Sequence, residues 1–136
     1  MDARRHDDHA VILLVDDDTR TAHRLARMLE EDGYLVEVFR DGADAVLRLE
    51  RNPLPDVVVT DLMMPGTDGL TLMREARRRR PEMPVIFVTG YPERLARWGD
   101  DAGGQREPLV FTKPLEYAAF SAALGRLTAH CPGRAS

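Results

Sequence analysis

Short apolar runs that end in acidic or hydroxyl residues recur along this chain, and between them the apolar spacing changes to a helical one. Residues 10–15 run into Asp16, residues 57–59 follow Pro55 and Asp56 and lead to Thr60 and Asp61, and residues 85–88 follow Pro84 and end at Thr89. Residues 109–111 follow Pro108 and precede Lys113, and Leu35–Phe39 is a fifth, more amphipathic run. A run without polar alternation suits a strand covered on both faces. Between the runs, Ala22, Leu25, Ala26 and Leu29, then Gly42, Ala45, Val46 and Leu49, recur at steps of three and four, which is one face of a helix. Asp18 or Thr19 is placed to cap the first helix, and Gly33 after Asp32 to stop it. A third helix is expected to follow Gly69 and end near Pro81, with a short fourth over residues 93–98 and a fifth over residues 115–130. Strands alternating with helices imply an α/β fold, a parallel sheet covered on both faces by right-handed crossovers.

The chain has 136 residues, enough for one domain with a core and short for two. With 43% hydrophobic and 31% charged residues it has the composition of a folding protein, and its net charge of -4 provides no basic field for nucleic acid or anionic lipid. The longest apolar run, residues 10–15, is far below the ~20 residues that span a bilayer. Residues 1–9 lack the apolar middle of a secretory signal and read as a disordered lead-in, residues 10–130 as the domain, and residues 131–136 as a tail. Cys131 has no partner within the chain, which suits a reducing cytoplasm.

In an open parallel sheet the ligand site lies beyond the carboxyl ends of the strands. There the pattern collects Asp16, Asp17, Asp61, Thr89 and Lys113. Three carboxylates crowded together repel one another, and a divalent cation relieves that repulsion. Mg²⁺ prefers oxygen ligands and binds through one or two carboxylates together with phosphate oxygens. Phosphoryl transfer needs an aligned nucleophile and cations that neutralise the oxygens of the moving group. Asp61, at the end of the central run, is the best nucleophile; Lys113 and Thr89 are placed to hold phosphoryl oxygens.

The stretches ILLVDDD at residues 12–18 and DLMMPGTDG at residues 61–69, the pair Thr89 and Gly90, and Lys113 followed by Pro114 resemble the receiver domains of bacterial two-component systems. The resemblance spans about residues 10–130. It implies a doubly wound, five-stranded parallel sheet in the flavodoxin-like order 2-1-3-4-5, with Asp61 as phosphoacceptor. It also implies Asp17 as a direct Mg²⁺ ligand, Asp16 as a ligand through water, the backbone carbonyl of Met63 as a further ligand, and Thr89 and Lys113 on the phosphoryl group. Mn²⁺ is a possible substitute for Mg²⁺. A cis bond before Pro114 is usual in that family and costs only about 0.5 to 1 kcal/mol. The implied partners are a sensor histidine kinase or histidine phosphotransfer protein and a downstream protein. Neither nucleic acid nor membrane is expected as a direct partner, and the chain is expected to be a cytoplasmic monomer or a phosphorylation-dependent dimer. On this reading it is a signalling domain and catalyses only its own phosphorylation and dephosphorylation.

Two features depart from the family pattern. The family carries an aromatic residue three before the lysine, a ring that moves inward on phosphorylation, and here Val110 stands there; Phe111 faces the other side of the sheet. The stretch from Thr89 to Lys113 is long and holds Pro92, Gly99, Gly103 and Gly104, so residues 91–107 are the expected output surface, with Trp98 read first as a packing residue and second as a partner anchor. Met63 and Tyr91, two residues after Asp61 and Thr89, are poor holders of an attacking water, and slow loss of the phosphoryl group is expected. Arg77, Arg78, Arg79 and Arg80 are read as serving the helix dipole and solubility, and His6, His9, His23 and His130 as solvated. Two other functions fit in part. A haloacid-dehalogenase-like phosphatase would use Asp16 and Asp18, although Arg20 breaks its motif; a receiver-like module that binds without being phosphorylated draws support only from Val110.

Overall fold

The computed structural model describes residues 9–64, 66–93 and 107–129. Strands β1 (Val11–Val15), β2 (Leu35–Phe39), β3 (Val57–Thr60), β4 (Val85–Thr89) and β5 (Leu109–Thr112) form one sheet in the order β2-β1-β3-β4-β5. All four pairings are parallel. The helices among the described residues are α1 (Thr19–Glu31), α2 (Gly42–Leu49), α3 (Gly69–Arg79) and α4 (Tyr117–Leu127).

Side chains of a strand alternate between the two faces of a sheet, so unbroken apolar strands build two cores. On one face Ile12, Leu14, Val57, Val59, Ile86 and Val88 meet Leu25, Ala26 and Leu29 of α1 and Phe120 and Leu124 of α4. On the other, Leu13, Val15, Val58, Val85 and Phe87 meet Ala45 and Leu49 of α2 and Leu70, Leu72, Met73 and Ala76 of α3. The doubly wound architecture follows directly from this division. Each fully buried Leu, Ile or Phe contributes roughly 2 kcal/mol through lost water contact, and Leu13, Leu29, Leu72, Phe87 and Phe120 are all 0% exposed. A charge in place of Leu13 would have no partner inside and would break the sheet's packing on α2 and α3.

The helix ends follow local chemistry. Asp18, Asp41 and Asp68 cap α1, α2 and α3 by accepting hydrogen bonds from the backbone N–H groups of Thr21, Ala43 and Thr71. Past the end of α1 the chain turns at Gly33, whose φ of 98° is one that a side chain disfavours. The third helix stops at Arg79 and the last begins at Tyr117, each within two residues of the expectation. Residues 94–98 of the expected short helix, Trp98 among them, and His130 and Cys131 fall outside the described residues.

The expectation for the arginines of α3 needs correction. Arg77 is 8% exposed and its Nε donates to the Met83 carbonyl at 3.3 Å; Arg80 donates to the carbonyls of Pro55 and Asp56 at 3.2 and 3.1 Å. These carbonyls precede the ladder bonds of β3 and need donors. Arg80 therefore ties the end of α3 to the entry of β3 and Arg77 ties it to the segment entering β4, whereas Arg78, 70% exposed, faces water as expected. Arg48 of α2 acts similarly, donating to the carbonyls of Arg51 and Pro53 at 3.2 and 3.0 Å and pairing with Glu37 of β2. Both Lys113–Pro114 and Asn52–Pro53 are cis.

Candidate functional site

Register brings the site together before any side chain is considered. Val15 of β1 lies opposite Thr60 of β3, so the next residues, Asp16 and Asp61, leave the sheet side by side, with the Asp61 N–H donating to the Val15 carbonyl at 3.0 Å. Thr89 of β4 lies opposite Thr112 of β5, and the N–H of Lys113 donates to the Thr89 carbonyl at 2.8 Å. The carboxyl ends of β1, β3, β4 and the edge strand β5 thus deliver two carboxylates, a hydroxyl and an amine to one mouth.

Lys113 links the two carboxylates. Its Nζ donates to Asp61 Oδ2 at 3.0 Å and to Asp16 Oδ2 at 3.2 Å. The remaining oxygens are held by backbone: Asp16 Oδ1 accepts from the Asp18 N–H at 2.9 Å, and Asp61 Oδ1 from the Met63 N–H at 3.2 Å. Side-chain exposure is 7% for Asp16 and 12% for Asp61, against 28% for Lys113, so the ion pairs are largely shielded from water. Burial pushes the Asp16 carboxyl up from its ordinary value, with the Asp61 charge adding to the rise while the Asp18 amide and Lys113 oppose it. Burial also works against the charge on Lys113, but the hydrogen bonds and charges of Asp61 and Asp16 outweigh it and leave the amine above its ordinary value.

Asp17 is exposed and completes the acidic group; one carboxylate oxygen from each of Asp16, Asp17 and Asp61 lies within 4.8 Å of the others. Three hard oxygen donors at this spacing fit a small divalent cation that keeps part of its water shell. Met63, 37% exposed, sits at the rim with its N–H already committed to Asp61. Thr89 is fully buried, and its Oγ1 accepts the N–H of Tyr91 at 3.0 Å, which leaves its own proton free to donate. A cavity of about 360 Å³ runs from Asp16, Asp61 and Lys113 past Leu25 and Met28 to Leu115 and Tyr117.

Asp18, the second carboxylate that a dehalogenase-like phosphatase would need, is turned elsewhere. It accepts from the backbone N–H and hydroxyl of Thr21 at 3.4 and 2.8 Å, and these bonds hold its carboxyl below the ordinary value. The aromatic question is also settled in geometry. Phe111 packs edge-on against Phe120 at 5.6 Å on the α1 and α4 face, whereas Val110 packs on the opposite face, across from Phe87 of β4. Two supports were not anticipated. Thr60 donates its hydroxyl to the Asp61 carbonyl at 2.9 Å, and the N–H of Gly69 donates to the Leu62 carbonyl at 3.1 Å. Thr60 precedes the 61–69 motif and Gly69 closes it, but nothing in a linear pattern shows that they hold the backbone of Asp61 and Leu62.

Comparison with known proteins agrees with this geometry. Residues 12–102 match the family model described as response regulator receiver domain. The chain is 35% identical over 103 residues to the response regulator receiver protein CpdR of Brucella abortus, an alignment covering 76% of this chain and 83% of that one. It is 43% identical over 95 residues to the response regulator MprA of a Mycobacterium species, covering 68% of this chain and only 40% of that longer protein. Among solved structures, a response regulator receiver protein from Sinorhizobium medicae superposes with a TM-score of 0.78 at 28% identity, covering 90% of this chain and 96% of that one. The receiver domain of the hybrid histidine kinase CckA superposes with a TM-score of 0.73, also at 28% identity, over 87% and 98% of the two chains.

Proposed function

The chain belongs to the response regulator receiver domain family, the phosphoacceptor signalling domain of two-component systems, and on that footing we propose that Asp61 is the residue phosphorylated. One observation carries the assignment: the Lys113 ammonium reaches both Asp61 and Asp16, with Asp17 alongside, at the mouth of the central strands. Asp61 is the member of the acidic group that follows β3, which is flanked by β1 with its carboxylates on one side and by β4 with the Thr89 hydroxyl on the other, Lys113 arriving from β5 beyond.

In the reaction an oxygen of the Asp61 carboxylate attacks phosphorus, and the bond from phosphorus to the donor's leaving atom breaks, its electron pair departing with the donor. Lys113 transfers its hydrogen bonds from the carboxylates to a phosphoryl oxygen, and Thr89 donates its free proton to another. Asp16, Asp17, Asp61 and the backbone carbonyl of Met63 are the residues that would hold Mg²⁺ or Mn²⁺. When bound, the ion supplies neutralising charge to the acidic group and to the phosphoryl oxygens.

The physiological donor on this reading is a histidine kinase or a histidine phosphotransfer protein, and the output is altered binding of a downstream protein. Incubation with a small acyl phosphate and Mg²⁺ followed by intact-mass spectrometry tests it. One added phosphoryl group, absent in Asp61→Asn and absent in the presence of chelator, is the expected result. Equal labelling of Asp61→Asn would refute the assignment.

A further inference from the structure

Gly69 opens α3 and lies directly on the backbone of the proposed phosphoacceptor. A Cβ at this position would stand 2.3 Å from the carbonyl oxygen of Asp61, 2.9 Å from a ring carbon of Phe87 and 3.1 Å from the Cα of Leu62. Its N–H donates to the Leu62 carbonyl at 3.1 Å, so the first turn of α3 is both packed and hydrogen-bonded against residues 61 and 62. The same Asp61 carbonyl is held on its other side by the Thr60 hydroxyl at 2.9 Å. We infer that Gly69 is a positioning residue for phosphoryl transfer: its lack of a side chain lets the α3 turn clamp the Asp61 backbone at the place from which its carboxylate meets Lys113.

The inference rests on Asp61 being the nucleophile. Relieving the clash of an added methyl with the Asp61 oxygen requires a shift of about 1 Å, and a misplacement of that size at a reacting group costs on the order of 100-fold in rate. A flexible ring tip could give way, but the Asp61 carbonyl is held by the Thr60 hydroxyl and the Asp61 N–H by the Val15 carbonyl, so the oxygen moves only with its residue. Gly42 supplies a matched control. Its Cβ would stand 2.3 Å from the carbonyl oxygen of Thr67, an equally close approach to the same connection, but Gly66, with a φ of 77°, lies between Thr67 and Asp61 and gives that loop a place to yield.

The test compares Gly69→Ala, Gly69→Ala with Phe87→Leu, Phe87→Leu alone, and Gly42→Ala. Two readouts are taken: the Asp61 carboxyl ¹³C signal in metal-free protein, and the rate of phosphorylation by a small acyl phosphate with Mg²⁺. Gly69→Ala is expected to move the Asp61 signal and slow the reaction on the order of 100-fold, with or without Phe87→Leu. Phe87→Leu alone and Gly42→Ala should keep both readouts near the parent's, although Gly42→Ala melts lower. Recovery of the rate in the double variant would overturn the inference, because the clash would then be with the ring, as would an equal rate loss in Gly42→Ala. Should Gly69→Ala fail to fold, Phe87→Leu decides: a parent-like rate supports the glycine clamp, and a large loss assigns the positioning to the ring instead. A parent protein that accepts no phosphoryl group would refute the phosphoacceptor reading and leave the metal-free signal to judge the clamp.

Discussion

Replacing Lys113 by Met removes the ammonium while keeping the length of the stem, and leaves Asp16 and Asp61 facing each other without their shared cation. With oxygens within 4.8 Å, two full charges at an effective dielectric of about 20 repel by roughly 3 kcal/mol. Breaking a buried pair by removing one partner costs about 3–5 kcal/mol, but Lys113 keeps 28% of its side-chain surface, so water screens part of that. The expected loss in metal-free protein is therefore about 2–3 kcal/mol, or roughly 6–10 °C in Tm for a domain of this size. Excess Mg²⁺ should raise the melting temperature of Lys113→Met more than that of the parent, because in the parent the ion must displace the ammonium from the same carboxylates. Thermal melts of both proteins with chelator and with Mg²⁺ measure this. A variant that melts within a degree or two of the parent in chelator, or one that Mg²⁺ stabilises less, would refute the view that lysine and metal serve the same two carboxylates.

Arg48→Met should lower stability by about 2–3 kcal/mol in urea titrations, since Arg48 is 7% exposed and serves two carbonyls and Glu37. Glu37→Gln should cost under about 1 kcal/mol, because that carboxylate is 41% exposed. Tyr117, whose hydroxyl donates to Asp32 at 2.6 Å and to the Met28 carbonyl at 3.2 Å, has its pKa raised from 10.0 by burial and then by the Asp32 bond. A raised pKa stabilises fully below the unfolded value and is lost above it, so the stability gap of about 1 kcal/mol between parent and Tyr117→Phe should be flat near neutrality and shrink only above pH 10. Met63→Asn with Tyr91→Glu should shorten the phosphorylated lifetime by at least about tenfold, followed as decay of the phosphorylated mass; an unchanged lifetime would count against the apolar rim as its protector.

The sheet and its two cores were legible because a parallel strand buried on both faces must be apolar throughout, and β1, β3 and β4 announce themselves that way. The positions of Asp16, Asp61, Thr89 and Lys113 followed from the rule that such sheets present their sites at the carboxyl ends. The expectation fails at Arg77 and Arg80, though not at the exposed Arg78, because a charged run at a helix end looks the same whether it faces water or a neighbouring carbonyl. Only the fold shows that β3 enters beside α3 with Pro55 and Asp56 wanting donors. Gly69 is visible in the sequence as the end of the 61–69 motif ahead of a helix, but its contact with Asp61 is a tertiary fact that no spacing encodes. Val110 departs from the family pattern in the sequence itself, and the sheet register adds that it lies across from Phe87, a ring packed at 0% exposure.

The central claim is that one particular carboxylate of the three accepts the phosphoryl group. Borohydride reduces an acyl phosphate, so treating the phosphorylated protein with it and mapping the peptides converts the acceptor aspartate alone to homoserine. Homoserine at position 61, with Asp16 and Asp17 intact, is the result this account predicts. Homoserine at position 16 or 17 would contradict it.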